Sequence, residues 1–132
     1  MNYRDYEYPS KKFRTLHRDD MYHVIEENDR VKMFSRVVDT FMMAFAIGFH
    51  LNGRKHVTGS DAINHTNMSY ISVDNQNLII LLMLDRHPEI ETASELWSMV
   101  EDYAEFGIEI LFESLRRSDW VLDMDDVFNN MN

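Results

Sequence analysis

Residues 92–117 read TASELWSMVEDYAEFGIEILFESLRR, and this stretch decides the fold. Thr92 and Glu95 have the spacing of a capping box, in which hydroxyl and carboxylate satisfy exposed amides at a helix start. Leu96, Val100, Tyr103, Gly107, Leu111 and Leu115 then recur at intervals of three and four, with Trp97, Ala104 and Ile108 widening the stripe. That period predicts an amphipathic helix of about seven turns. A helix this long needs apolar partners, and the chain upstream supplies two.

The first is Val37 to Phe49, where apolar residues cover almost the whole circumference, as they do in a buried helix. Ser35 is placed to cap it and Asp39 lies near its positive end. Gly48 either admits a close neighbour or weakens the last turn, and Asn52-Gly53 suits the left-handed stop. The second is the apolar run Leu78 to Leu84, with Asp74 as cap and Pro88 as terminator. Leu and Met outnumber Val and Thr there, so helix is favoured over a buried strand. A shorter helix is expected from Arg18 to Glu27, where Met21, Val24 and Ile25 recur at helical spacing. Residues 54–73 are polar and read as a long loop with a short strand at Ser69 to Val73.

Working outward, the expected fold is a single all-α domain of about four helices with a long central loop and an acidic C-terminal tail. Residues 1–17 form a basic, aromatic arm, 18–117 the helical domain and 118–132 the tail, in which acids alternate with large apolar groups. A chain of 132 residues can bury roughly two thirds of its unfolded surface around one core. With no Cys, disulfide scaffolds, cysteine zinc sites and thiolate nucleophiles are excluded. Charges occupy the N-terminus where a signal core would sit, and no apolar run reaches the roughly 20 residues of a membrane span. A cytoplasmic protein without membrane contact is expected.

The net charge of −10 is unevenly placed: residues 1–36 carry +1, residues 37–73 are neutral, and residues 74–132 carry −11. Clustered Lys and Arg are what phosphate binding needs, so a broadly basic nucleic-acid binder is excluded. Direct nucleic-acid contact is left to the arm, through Arg4, Lys11, Lys12 and Arg14, with Tyr3, Tyr6 and Tyr8 either stacking on bases or packing on the body. In the acidic half, Glu101, Glu105, Glu109 and Glu113 stand four apart on one helix face, a repulsion of about 0.2–0.5 kcal/mol per pair. A basic partner surface would relieve it; a solvated face screened by salt is the plainer reading. Trp120 and Phe128 are the aromatic anchors a docking tail would use.

Catalytic and metal signals are sparse. No nucleophile elbow, phosphate loop or dinucleotide fingerprint occurs, and the six His never stand as His-x-x-x-His. A site assembled from distant His residues has no spacing that selects it, so no metal and no cofactor are expected. Arg18-Asp-Asp-Met-Tyr-His23 has the Arg-x4-His spacing of HEPN-type ribonucleases, with Arg18 and His23 as the residues that would act on a phosphodiester.

The segment Asp39-Thr-Phe-Met-Met-Ala-Phe-Ala-Ile-Gly48-Phe49, followed by Gly53-Arg54, resembles small proteins encoded beside bacterial DNA phosphorothioation (Dnd) systems. Phe34, Asp39, Phe41, Met42, Ala44, Ala46, Gly48, Phe49, Gly53 and Arg54 stand at the matching places. Tyr103-Ala104-Glu-Phe-Gly107-Ile108 is similar to the family's Tyr-Ala-x-x-Gly-Ile element, and the likeness spans about residues 30–115. Ser35-Arg36 and the Asn64 to Asn67 stretch depart from the pattern. The matched positions are mostly core-forming, and the family has no catalytic residues to carry over. The resemblance implies a DNA-modification or antiphage setting; taken with the Glu ladder, the expected function is a non-enzymatic accessory or regulatory subunit of such a system, engaging a larger protein subunit with a basic surface. A small HEPN-like ribonuclease and an acidic DNA mimic are the alternatives.

Overall fold

The structure is a computed structural model describing residues 3–8, 12–28, 30–31, 37–59 and 62–129. After a 3-10 turn at Tyr3–Tyr6 come strand β1 (Lys12–Thr15), a π-helical turn (Arg18–Tyr22) that continues into helix α1 (His23–Glu26), and α2 (Val37–Leu51). Then follow β2 (Ile63–Asn67), a 3-10 turn at Met68–Tyr70, α3 (Val73–Arg86), α4 (Ala93–Arg117) and α5 (Met124–Asn129). The fold is mainly helical, as the periodicity predicts, with one small antiparallel sheet that it does not.

α4 is the axis. Thr92 accepts from the Glu95 amide (3.2 Å), while the Glu95 carboxylate reaches back to the amide of Glu91 rather than of Thr92. Leu96, Val100, Tyr103, Ile108, Leu111 and Leu115 are all fully buried, the stripe read from spacing. α2 lies directly on it. A methyl group at Gly48 would come within 1.9 Å of the Tyr103 carbonyl oxygen, and one at Gly107 within 1.7 Å of the Ala44 carbonyl oxygen. The two glycines therefore let the backbones touch, and only hydrogen side chains fit. α2 stops where Asn52 turns left-handed (φ 54°) and the Gly53 amide donates to the Gly48 carbonyl (2.9 Å).

Several expectations are corrected. Residues 54–73 contain a strand, but it is Ile63–Asn67, not Ser69 to Val73, which forms a 3-10 turn and the start of α3. β2 pairs with β1 in antiparallel register, Arg14 opposite Asn64 and Thr15 opposite Ile63. Alternation along β1 sends Phe13 and Thr15 inward, and the Phe13 ring stacks on Phe41 at 4.2 Å. The described parts of the arm are thus built into the body; Trp97 donates to the Tyr6 carbonyl (2.7 Å) and meets the Tyr8 ring edge-on at 4.9 Å. Ser72, not Asp74, caps α3 by accepting from the Asn75 amide. Ser35 lies outside the described residues.

The acidic tail is also corrected. Asp119 and Trp120 both adopt left-handed φ (54° and 65°), which reverses the chain after α4. α5 then docks back: Val127 is fully buried, and Asp126 accepts from the Ser114 hydroxyl (2.6 Å) and from Arg117 (2.9 Å). Among the described residues, five α-helices are present rather than four, and none is long and apolar enough to cross a membrane.

Candidate functional site

The Glu ladder is where sequence and structure part most sharply. Glu101 and Glu105 are each 1% exposed, so the four carboxylates do not form one solvated face. β1 crosses them. Arg14 donates its amide to Glu101 Oε2 (2.5 Å), Leu16 donates its amide to Glu105 Oε1 (2.9 Å), and the Thr15 hydroxyl donates to Glu105 Oε2 (2.8 Å). His17 Nε2 lies 3.7 Å from Glu105 and 3.6 Å from Glu109, and Lys55 Nζ closes on Glu109 at 2.7 Å. Glu113 pairs with Arg116 at 2.8 Å. The repulsion at four-residue spacing is relieved from inside the molecule.

Burial raises the Glu105 pKa, opposed by the Thr15 and Leu16 hydrogen bonds and by His17, with Glu109 adding to the rise. The Tyr22 phenol, buried and facing Glu105, Glu26 and Glu101, is pushed well above its ordinary value and stays neutral. Burial does the same to Tyr8, helped by Glu101. Reversing Glu105 and Glu109 to Lys, the substitution the ladder invites, would break the β1 contact before it reported on a partner.

Other predicted site residues are placed as follows. Trp120 is half-buried against Phe112 (5.8 Å) and Phe128 against His50 (4.6 Å), so the tail's aromatics are engaged within the chain. Lys12 is exposed on β1, and Arg14 points its guanidinium toward Glu101 (3.9 Å). Lys11 and the side chain of Arg4 lie outside the described residues. Arg18 and His23 are brought together, but around a carboxylate: Arg18 Nε lies 3.1 Å and His23 Nδ1 3.3 Å from Asp19 Oδ1. The Arg18 hydrogen bond is the main cause holding Asp19 below its ordinary pKa. A phosphodiester approaching the pair would meet that negative charge.

Two features were not foreseen. His23, Glu26 and His65 converge so that one ligand atom from each lies within 4.8 Å of the others. His65 Nε2 sits 2.9 Å from Glu26 Oε1, and the His23 and His65 rings are 5.2 Å apart. His23 and Glu26 share a helix face, but His65 comes from β2, 39 residues from Glu26, and no local spacing announces it. The second feature is the outer face of α3. Ile79, Ile80 and Met83 are buried, while Leu78, Leu81 and Leu82 are 50%, 45% and 36% exposed. Tyr70, before the helix, and Val73, at its first position, are also exposed. A run of seven apolar residues goes round the whole helix, so about half of it must face outward.

A pocket of about 500 Å³ opens beside α4 and α5. Phe106, Ile110 and Val127 line its apolar part, and Lys55 and Arg117 at its edge are already paired with Glu109 and Asp126. Comparison with family models, with curated proteins and with solved structures returned no match.

Proposed function

We propose that this protein is a non-enzymatic accessory subunit that docks the outer face of α3 onto a larger protein. The single observation that carries the reading is the exposed Leu78, Leu81 and Leu82 stripe. Its ends are acidic: Asp74 and Asp85 fall on the same helical stripe, and both are exposed. An apolar groove rimmed by Lys and Arg is the complement, in which the leucines fill the centre and the carboxylates meet the rim. A second copy of this chain packed antiparallel would set Asp74 of one against Asp85 of the other, and like charges at that distance oppose association.

The setting, a cytoplasmic DNA-modification or antiphage system of the phosphorothioation-associated kind, rests on the resemblance. The two matched elements are the two sides of one contact, Gly48 against Tyr103 and Gly107 against Ala44, so the matched residues bear on the fold and the setting rests on the resemblance alone. The ribonuclease reading is disfavoured by Asp19 between Arg18 and His23, and the DNA-mimic reading by the inward placement of Glu101 and Glu105.

The test is co-expression with the proteins encoded beside this chain in its host, followed by size-exclusion chromatography. The wild-type chain should co-elute with a DNA-modification subunit, and the double variant Leu78→Glu/Leu81→Glu, with unchanged circular dichroism, should elute alone. Retained co-elution of the variant overturns the assignment of the face. Self-association of the wild type that the same variant dissolves overturns the assignment of the partner.

A further inference from the structure

We propose that His23, Glu26 and His65 form a binding site for a divalent transition metal of the zinc class. The donor set is two imidazoles and one carboxylate, which suits borderline ions and not Mg²⁺ or Ca²⁺, whose sites are built from oxygen. The distances fit. Zinc bonds of about 2.0–2.1 Å in a tetrahedral site put neighbouring ligand atoms roughly 3.3 Å apart. The three ligand atoms already lie within 4.8 Å of one another, so the 2.9 Å contact of His65 Nε2 with Glu26 Oε1 opens by a few tenths of an ångström and the His23 ring closes by up to about 1.5 Å, a side-chain rotation.

The surroundings hold the donors as a metal site requires. Asp19 Oδ1 lies 3.3 Å from His23 Nδ1, which leaves Nε2 of that ring to face the ion, the carboxylate–histidine–metal arrangement that fixes tautomer and orientation. Arg18 anchors Asp19 at 3.1 Å, and its Nη1 reaches the carbonyl of Asn64 (3.4 Å), tying the helical turn to the strand residue before His65. The rings of Phe13 and Tyr22 each stand 5.2 Å from the His65 imidazole, edge to face, so its plane is set by packing. Three protein ligands leave the fourth position to water or to a side chain of a partner.

The site is tested on the full-length chain after chelator treatment, by isothermal titration with zinc chloride and, separately, magnesium chloride at pH 7.5, and by thermal melts with and without zinc. One zinc per chain should bind and raise Tm, magnesium should not bind, and lowering the pH to 5.5 should weaken zinc binding as the imidazoles protonate. Glu26→Gln and His23→Gln, both at half-buried positions, should each weaken zinc about tenfold or more while the zinc-free melt stays within a few degrees. Absence of saturable zinc binding by the wild type overturns the proposal. So does undiminished binding by the Glu26→Gln/His23→Gln double variant, which would put the ion elsewhere on the chain.

Discussion

α4 draws two carboxylates, Glu101 and Glu105, down to 1% exposure, whereas α3 leaves Leu78 and Leu81 about half in solvent. Judged by transfer from water alone, the two helices are each arranged the wrong way round. Taking an ionised carboxylate out of water costs several kcal/mol, and a half-exposed Leu forgoes about 1 kcal/mol of burial. The difference lies in what crosses each helix. β1 and the residue after it lay the Arg14 and Leu16 amides and the Thr15 hydroxyl over α4, so its carboxylates serve as their acceptors. Among the described residues no such strand crosses the outer leucines of α3, and their stripe ends in Asp74 and Asp85. Burial here follows what covers a face, not the polarity of the face itself.

The comparison breaks most severely at Glu105. Glu105→Lys would place an ammonium among Thr15, Leu16 and His17 where only acceptors are wanted, and leave two donors without partners. A loss of about 4 kcal/mol or more is expected, a large part of the roughly 5–15 kcal/mol that holds an ordinary domain together. Urea denaturation followed by circular dichroism reads it; a variant as stable as wild type would mean β1 does not rest on α4. Next in size is Gly107→Ala. Ala favours a helix by about 1 kcal/mol over Gly, but the added methyl would stand 1.7 Å from the Ala44 carbonyl oxygen and force α2 away. A net cost of about 3 kcal/mol is expected in the same assay, and a gain would remove the close backbone contact from the fold.

How much of this could be read beforehand differs by element, for physical reasons. The period of α4, its cap at Thr92 and the left-handed stop at Asn52 are local, set by side chains within one turn, and were legible. Gly48 carried a legible ambiguity between close approach and a weak turn, which its seat on Tyr103 resolves. The sheet was illegible because β1 and β2 are short and their partners are about 50 residues apart. The fate of the Glu ladder was illegible for the same reason: spacing reveals that four carboxylates share a face, but not that a strand some 90 residues upstream will cover two of them. His65 joined His23 and Glu26 by the same non-local pairing. Trp120 and Phe128 were misplaced because two consecutive left-handed residues at 119 and 120 have no Gly or Asn to announce the reversal.

A subtler substitution at the same carboxylate sharpens the contrast. Glu105→Gln keeps the shape and one acceptor oxygen while removing the charge, so it trades charged hydrogen bonds for relief from desolvation. The net change at pH 7 is expected to be about 1 kcal/mol at most. Its pH dependence is the informative part. Because burial raises the Glu105 pKa, the folded chain holds this proton more tightly than the unfolded one. Stability contributed by protonated Glu105 is therefore fully present below the unfolded glutamate pKa and is lost as pH rises through the higher folded value. Wild type should gain on Glu105→Gln as the pH is lowered through that window, in urea midpoints measured across it. Glu101 and Glu109 face the same site from α4, and His17 from the arm, so the readout is the difference between the two proteins and not either curve alone. A difference that stays flat would mean Glu105 is solvated.

On α3 the smallest effect is expected, and its smallness is the point. Leu81→Glu replaces a side chain 45% exposed on a helix whose packing against the body is carried by Ile79, Ile80 and Met83. Little apolar area returns to water, and Glu is a helix former comparable to Leu. The new carboxylate stands four residues before Asp85, a like-charge spacing that costs about 0.2–0.5 kcal/mol. Tm should move by no more than a few degrees, against a far larger drop for the reversal at Glu105, although Leu81→Glu inserts a charge into an apolar run and Glu105→Lys only exchanges one charge for another. A large loss at Leu81 would show that the outer leucines are part of the core. A small one, together with loss of the partner in co-elution, separates the two jobs: α4 holds the fold and α3 meets what lies outside it.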